Sequence, residues 1–396
     1  MGVDNSINNL TNLENNQQKQ ERSYWLAWSQ ISGIGPILLG RLEQYFGTLE
    51  AAWVAGSQEL QLVEGLGAQL GLRIAEKRST LNPQEFLEEH SIKNPHFWTP
   101  ADPEYPRLLL ETPNPPTVLY YRGKVKPLEN QGVIPAIAIV GTRDPTPYGK
   151  KWTQRIATAL AKQGFMIVSG MAAGIDTEAH RACLEVGQRT IAVVGTGVDI
   201  AYPPRNQGLY RDIVKQGLVV SEYPQGTPPD RSHFPQRNRI IAGLCRAILV
   251  MEAPTKSGAL ITAYVANEYN RDVYVLPGSL DNEKALGCLG LVSRGAQLIL
   301  GEEQLLAMLG ELPNLDPLGS SQPATQQELF LPVNPATTQL PPNLAKVLQV
   351  ISAEAITLDA IAQTLQSSTA EVAGALLQLE LMGLVTQLPG MRYQRN

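Results

Sequence analysis

A short segment combines basic, aromatic and amide side chains: Arg231-Ser232-His233-Phe234-Pro235-Gln236-Arg237-Asn238-Arg239. A guanidinium group can donate two parallel hydrogen bonds to a phosphate. An aromatic ring can stack on a base, which contributes about 1–3 kcal/mol in proteins that bind single strands. Phe234 taken alone would more often be a core residue. The segment nevertheless offers both kinds of contact that a strand of nucleic acid uses.

Three other segments place small residues before a helix: Gly141-Thr142-Arg143, Ser169-Gly170 and Lys256-Ser257-Gly258. Free N–H groups and the helix dipole favour an anion at such points. A tight strand-to-helix turn with a serine cap explains each serine equally well. Arg143 and the arginines of the first segment add charge, so the segments together predict a phosphate-binding surface.

The scaffold that would bring these segments together is visible from residue 136 onward. Short apolar runs alternate there with amphipathic helices, which is typical of a parallel sheet covered on both faces. The runs are Ala136–Val140, Phe165–Val168, Thr190–Val194, Leu218–Ser221, Ala247–Met251, Asp272–Leu276 and Gln297–Leu300. We therefore predict an α/β fold with a doubly wound, Rossmann-like sheet. Ligands bind at the carboxyl ends of the strands in such folds, where the segments above fall.

Arg237 and Arg239 are two residues apart on one predicted helix and therefore point in nearly opposite directions. Only one of them can face a bound strand. We expect Arg237 to do so, and Arg239 to pack or to pair with an acidic side chain.

Other chemistries fit the sequence less well. Gly195-Thr196-Gly197 lacks the third glycine of a dinucleotide-binding turn, and no P-loop motif is present. Asp176 and His180 could suggest acid–base catalysis, but no nucleophile motif accompanies them. A structural role, as a helix cap and a packing residue, is favoured for these two. We therefore expect no catalytic residue.

The composition limits the class of protein. The net charge of −5 means that any nucleic-acid site must be local. No apolar run is long enough to span a membrane, and no signal sequence is recognisable. Three scattered cysteines and four histidines form no metal-binding motif. We expect a cytoplasmic protein without a metal or other cofactor and without membrane contact.

The chain divides by composition into five predicted parts: a disordered tail (1–21), a helical domain (22–95), the Rossmann-like domain (96–310), a linker (311–342) and a winged-helix domain (343–396). Prolines over residues 95–135 indicate an extended connector with one strand near Val118–Tyr121. Two glycine hairpins, at residues 31–36 and 63–67, give the helical domain a helix-hairpin-helix or SAM-like layout. They either bind phosphate or only make tight turns, and the sequence favours neither. The expected recognition helix of the winged helix, Thr369–Met382, has no Lys or Arg, which favours a structural or protein-binding role.

Several motifs resemble the DNA-processing protein A family (DprA, also called Smf). They are Ile137–Arg143, Val168–Asp176 with Ala179-His180, Ser221–Pro224, Phe234–Gly243 and Ser257–Ala263. The resemblance covers residues 115–300 in order, and the helical and winged-helix parts suit the layout that is frequent in the family. One departure is the run Gly287–Val292, where the family usually has an Asn or His.

The resemblance implies a single-stranded DNA-binding protein of natural transformation that protects incoming DNA and loads the RecA recombinase on it. It also implies a homodimer formed through the Rossmann-like domain. The DNA pocket then maps onto the basic, aromatic and amide positions Arg143, Arg231, Phe234, Arg237, Asn238 and Lys256.

An alternative is a nucleotide phosphoribohydrolase of related fold. Such enzymes carry a Pro-Gly-Gly-x-Gly-Thr run after a late strand, whereas this chain has Pro277-Gly278-Ser279-Leu280. The missing glycines favour the DNA-binding protein over the enzyme.

Overall fold

The computed structural model describes residues 17–310, 315, 342–351, 356–365, 367–381, 384–388 and 392–395. They belong to two compact units that divide at residue 320. The predicted tail lies outside the described residues up to residue 16, and so does the predicted linker apart from residues 315 and 342. Residues 17–21 are not part of a disordered tail, because helix α1 spans residues 17–28. Gln, Lys and Glu dominate this stretch and are good helix formers.

Six helices form the N-terminal part, as the spacing of apolar residues predicts. They are α1 (17–28), α2 (Pro36–Phe46), α3 (Leu49–Val54), α4 (Ser57–Leu60), α5 (Ala68–Thr80) and α6 (Pro83–Lys93). Trp28, Leu39, Leu42 and Leu49 are fully buried between them. Leu26 and Leu87 instead pack into a cluster with residues of the sheet, so the helical part and the sheet form one unit.

The two glycine hairpins cover each other. Arg41, on the helix after the first hairpin, donates from Nη1 to the carbonyl oxygen of Glu64 in the second at 2.9 Å. Arg73, on the helix after the second, donates to the carbonyl oxygen of Ser32 in the first at 3.3 Å. Gly33 and Gly65 both have φ above 90°, a conformation that glycine adopts most readily. The two hairpins therefore have the same arrangement, in which an arginine after each hairpin donates a hydrogen bond to the backbone of the other.

The larger sheet has nine strands in the order β1-β2-β6-β5-β4-β3-β7-β8-β9. The strands are β1 (Phe97–Trp98), β2 (Leu119–Gly123), β3 (Ala136–Val140), β4 (Met166–Ser169), β5 (Thr190–Val193), β6 (Leu218–Ser221), β7 (Ala247–Val250), β8 (Asp272–Val275) and β9 (Gln297–Leu298). Strands β3 to β9 are parallel. The strand order reverses between β3 and β7, which makes this the switch point at which such sheets bind ligands.

Helices cover both faces of this sheet. They are α7 (Arg107–Leu110), α8 (Pro127–Asn130), α9 (Pro147–Lys162), α10 (Ile175–Glu185), α11 (Gln207–Gln216), α12 (His233–Leu244), α13 (Gly258–Glu268), α14 (Leu286–Val292) and α15 (Glu302–Gly310). Ala138 and Val140 of β3 pack into one hydrophobic cluster, while Ile137 and Ile139 pack into another. Both faces of the strand are buried, which confirms the doubly wound fold.

The proline-rich region 95–135 is not an extended connector outside the regular layers. Its strands β1 and β2 extend the sheet, and β2 pairs antiparallel with β6 from Tyr120–Ser221 to Gly123–Leu218. Prolines precede both strands but are absent from them, so no ladder donor is lost. The prediction placed one strand correctly and missed its place in the sheet.

The C-terminal unit has the three helices and the strand pair of a winged helix. Helices α16 (Pro342–Val350), α17 (Leu358–Leu365) and α18 (Thr369–Leu381) pack with strands β10 (Ile356–Thr357), β11 (Val385–Leu388) and β12 (Arg392–Arg395). Strand β12 lies between the other two. Strand β10 was not predicted, because two residues carry no periodicity.

Candidate functional site

A cavity of about 680 Å³ opens at the carboxyl edge of the sheet, beside the switch point. It contains nine of the thirteen predicted site residues: Gly141, Thr142, Arg143, Arg231, Phe234, Arg237, Asn238, Ser257 and Gly258. They come from the loop after β3, from helix α12 and the segment just before it, and from the start of α13. The sheet therefore brings together segments that are more than 100 residues apart.

An aromatic pair and an exposed arginine form one side of this cavity. The rings of Phe234 and Tyr202 are stacked, with centroids 5.5 Å apart and planes inclined by 28°. The guanidinium carbon of Arg143 lies 5.6 Å from the centroid of the Phe234 ring. A flat aromatic surface next to a cation can accept a base and its phosphate together.

The position of Phe234 depends on what lies beneath it. A Cβ atom at Gly195 would stand 3.0 Å from the Phe234 ring, so any larger residue there would have to displace the ring by a few tenths of an ångström. The neighbouring His233 contacts the Gly195 carbonyl oxygen through Nδ1 at 3.1 Å and stacks on Tyr223. These contacts fix the start of α12, and with it the ring.

The strand end that carries Arg143 is held by a buried carboxylate. Oε1 of Glu252 accepts a hydrogen bond from the Thr146 hydroxyl at 2.5 Å, and Oε2 accepts one from the Thr146 amide at 2.8 Å. The Glu252 carbonyl oxygen accepts from Thr142 N at 2.7 Å. The loop from residue 142 to 146 is therefore fixed at both ends, while the Arg143 side chain is exposed.

Arg237 lines the cavity but is only 4% exposed. Its Nη1 donates to the Val193 carbonyl oxygen, and burial lowers the pKa of its guanidinium group to about 10. The carboxylate of Asp176, also buried, offsets part of this shift. At neutral pH, Arg237 is thus a fixed positive charge beneath the cavity floor rather than a mobile surface arginine.

Arg239 does not reach the cavity. Its Nη2 donates to Oε2 of Glu222 at 2.5 Å, and both side chains are mostly buried. This confirms the prediction that Arg239 pairs with an acidic side chain. The same pairing removes Arg239 from the set of residues that can contact a strand directly.

Three further predicted residues lie away from the cavity surface. Ser169 is fully buried, and its hydroxyl donates to the Ile139 carbonyl oxygen at 2.6 Å. Gly170 is buried next to it, with its amide bonded to Oδ2 of Asp176 at 3.1 Å. Both residues support the cavity wall from behind in this structure, and their direct contact with a ligand stays a prediction. Lys256 is exposed beside the cavity without lining it.

The start of α13 forms the opposite wall. The side chain of Asn238 donates to the Gly258 carbonyl oxygen at 3.1 Å and so ties α12 to α13. The Ser257 hydroxyl caps α13 by accepting from Ala259 N at 3.3 Å. The serine cap expected from the sequence is present here, at a helix start that faces the cavity.

Asp176 and His180 occupy structural positions. Asp176 accepts hydrogen bonds from two backbone amides, those of Gly170 and Ala172. His180 contacts the Thr190 hydroxyl at 2.7 Å, and burial lowers the pKa of its ring to about 3. A histidine that is neutral and fully buried at physiological pH does not exchange protons with a substrate, so the structural interpretation is supported.

Sequence reasoning missed Tyr202, which completes the aromatic pair. The signal was present, because Tyr202 follows the third predicted strand and precedes two prolines. A loop that follows a parallel strand lies at the carboxyl edge of the sheet, where ligands bind. An aromatic residue in such a loop is therefore a candidate for ligand contact.

Among the described residues, no cluster of three or more His, Cys, Asp or Glu could hold a metal ion. None of the described helices is long and apolar enough to cross a membrane.

Comparisons with known proteins agree with the fold and with the motifs. Residues 96–310 match the family model for DNA recombination-mediator protein A, and residues 332–391 match that for the DprA winged helix domain. The chain is 52% identical to Protein Smf of Synechocystis, over 95% of this chain and 99% of that protein. It is 35% identical to Protein Smf of Escherichia coli, over 86% and 89% of the two chains.

Among solved structures, the X-ray structure of DNA processing protein A (DprA) from Streptococcus pneumoniae is similar, with a TM-score of 0.63 and 34% identity. The similarity covers 72% of this chain and 97% of that one. The family model, the full-length relatives and this structure agree with the residue motifs, and the chain belongs to the DNA recombination-mediator protein A family, also called DprA or Smf.

Proposed function

We propose that this protein binds single-stranded DNA in the cavity at the switch point of the sheet. The observation that carries the proposal is the stacked pair Phe234–Tyr202 with Arg143 beside it. Stacking needs a base with a free face, which a single strand offers and a duplex does not. The buried charge of Arg237 adds attraction for the backbone without a direct contact.

In the cell, the bound strand is protected and handed to the RecA recombinase, as part of natural transformation and recombination. The support for this step is membership of a family that is described as recombination mediators. The protein acts in the cytoplasm as a binding protein, without catalysis and without a cofactor.

A homodimer forms through the Rossmann-like domain. Support comes from the edge strand β9 and the residues that follow it, where Leu298 and Leu300 expose 36% and 67% of their surface. Edge strands with exposed apolar residues readily pair with another chain. Sedimentation velocity of the protein and of a Leu298→Asp, Leu300→Asp variant tests this assembly.

The central test compares binding of single- and double-stranded oligonucleotides by fluorescence anisotropy over a salt series. We expect tighter binding of the single strand at every salt concentration. Equal affinity for both forms would contradict the proposal. Release of a free base from a nucleoside monophosphate would instead support the phosphoribohydrolase alternative.

A further inference from the structure

A second cavity, of about 310 Å³, adjoins the first and shares Arg143 with it. Three more basic side chains line it: Lys150 near the start of α9, Arg181 on α10 and Arg205 in the turn before α11. All four basic side chains are exposed. None of the residues predicted from the sequence to bind DNA lies in this cavity except Arg143.

The cavity has an excess of positive charge, because its four basic side chains outnumber its two carboxylates. Of its two carboxylates, Asp144 pairs with Lys284 at 2.6 Å. Glu178 accepts a hydrogen bond from the neutral Gln154 amide at 2.7 Å and keeps its negative charge. Within the part of the chain that the structure describes, Arg143, Lys150, Arg181 and Arg205 form no salt bridge. Exposed cations that outnumber the neighbouring carboxylates repel one another, and a bound anion reduces that repulsion.

The second cavity also differs chemically from the first. It has no aromatic wall, and Gly174, Thr177 and Asn206 supply its other surfaces. It therefore offers contacts to phosphate groups but no platform for a base. Because Arg143 borders both cavities, a strand whose base stacks on Phe234 can continue directly into the second one.

We propose that the second cavity binds the phosphodiester groups that follow the stacked nucleotides of the same single strand, through Arg181, Arg205 and Lys150. This inference rests on the proposed function and extends it. It predicts that these residues matter only for oligonucleotides long enough to leave the first cavity.

The test measures anisotropy with oligothymidines of about 4 to about 16 nucleotides in a salt series. For an Arg181→Gln, Arg205→Gln variant, we expect the salt slope on the longest oligonucleotide to fall by about 0.7 for each lost phosphate contact. The shortest oligonucleotide should bind as it does to the unmodified protein. The Arg181→Lys, Arg205→Lys variant should keep most of the slope, because the charge is retained.

The matched control is Lys162→Gln, Lys215→Gln, which changes the net charge equally at the far ends of α9 and α11. Helix C-termini lie at the opposite edge of a parallel sheet, so this control should leave the slope unchanged. An equal loss for control and test variants, or for short and long oligonucleotides, would overturn the inference. So would an effect confined to oligonucleotides with a terminal phosphate. A Phe234→Ala variant with unchanged affinity would instead refute the proposed function itself.

Discussion

The guanidinium group of Arg237 fills the space next to the Cα atom of Gly170, so that no side chain fits at position 170 unless the arginine moves. The arginine is held from its other side by the Val193 carbonyl oxygen. The helix α12 can therefore pack against the backbone after β4 only because Gly170 has no side chain where the Arg237 guanidinium group lies.

This relationship predicts the effect of Gly170→Ala. The added methyl group must displace a buried, hydrogen-bonded guanidinium, and such overpacking costs about 1–3 kcal/mol. Urea denaturation measures the loss in the free energy of unfolding. The control is Gly208→Ala on α11, where nothing lies within 4 Å of an added Cβ atom. Alanine should stabilise that helix by up to about 1 kcal/mol, and equal effects at both positions would contradict the packing argument.

A second prediction concerns Phe234. Loss of the ring in Phe234→Ala should weaken single-strand binding by about 1–3 kcal/mol and leave the salt slope almost unchanged, because stacking releases no counterions. Phe234→Tyr keeps the ring and should bind normally. Anisotropy titrations at several salt concentrations separate the two effects. A large drop in salt slope for Phe234→Ala would show that the ring does not stack on a base.

Removing the charge of Arg143 should affect DNA binding, whereas removing that of Arg239 should affect stability. Arg143→Gln should lower the salt slope by about 0.7, the value for one phosphate contact with a single strand. Arg239→Gln should leave the slope unchanged and reduce stability, because it leaves Glu222 mostly buried without its partner. Salt-dependent binding and urea denaturation of both variants provide the comparison. Equal changes in slope would place both arginines on the strand.

His180 should make the protein less stable in acid. The unfolded residue takes up a proton near pH 6.5, whereas in the folded protein burial lowers the pKa to about 3. Between these values the unfolded state binds more protons, so stability falls as the pH falls. From pH 7 to pH 5 this one group should cost about 2 kcal/mol.

The measurement is the free energy of unfolding as a function of pH, for the unmodified protein and for His180→Gln. The variant should lose the part of the pH dependence that His180 contributes, and His96→Gln serves as the control for loss of a histidine. An identical pH dependence in His180→Gln would show that the ring takes up its proton at the same pH in the folded and the unfolded protein, which would contradict the lowered pKa.

The sequence predicts the parallel part of the sheet well, because strands such as Ala136–Val140 are apolar on both faces and short. It does not predict that β1 and β2 join the sheet, since prolines around them hide a pairing partner about 100 residues away. Nine site residues lie in one cavity because the carboxyl edge is a property of topology. The sequence does not predict how deeply a side chain is buried. Ser169 ends a strand and Arg237 lies in a helix as predicted, but both are buried, because burial depends on how the elements pack.

The mutual cover of the two glycine hairpins makes the N-terminal helices cooperative. Arg41 closes the hairpin at Gly65, and Arg73 closes the one at Gly33, so neither turn can open without breaking a bond that belongs to the other half. Backbone amides at both turns should therefore exchange their hydrogens in one shared opening event, rather than independently. The two hairpins thus stabilise each other reciprocally, as two subunits do across the interface of a symmetric dimer.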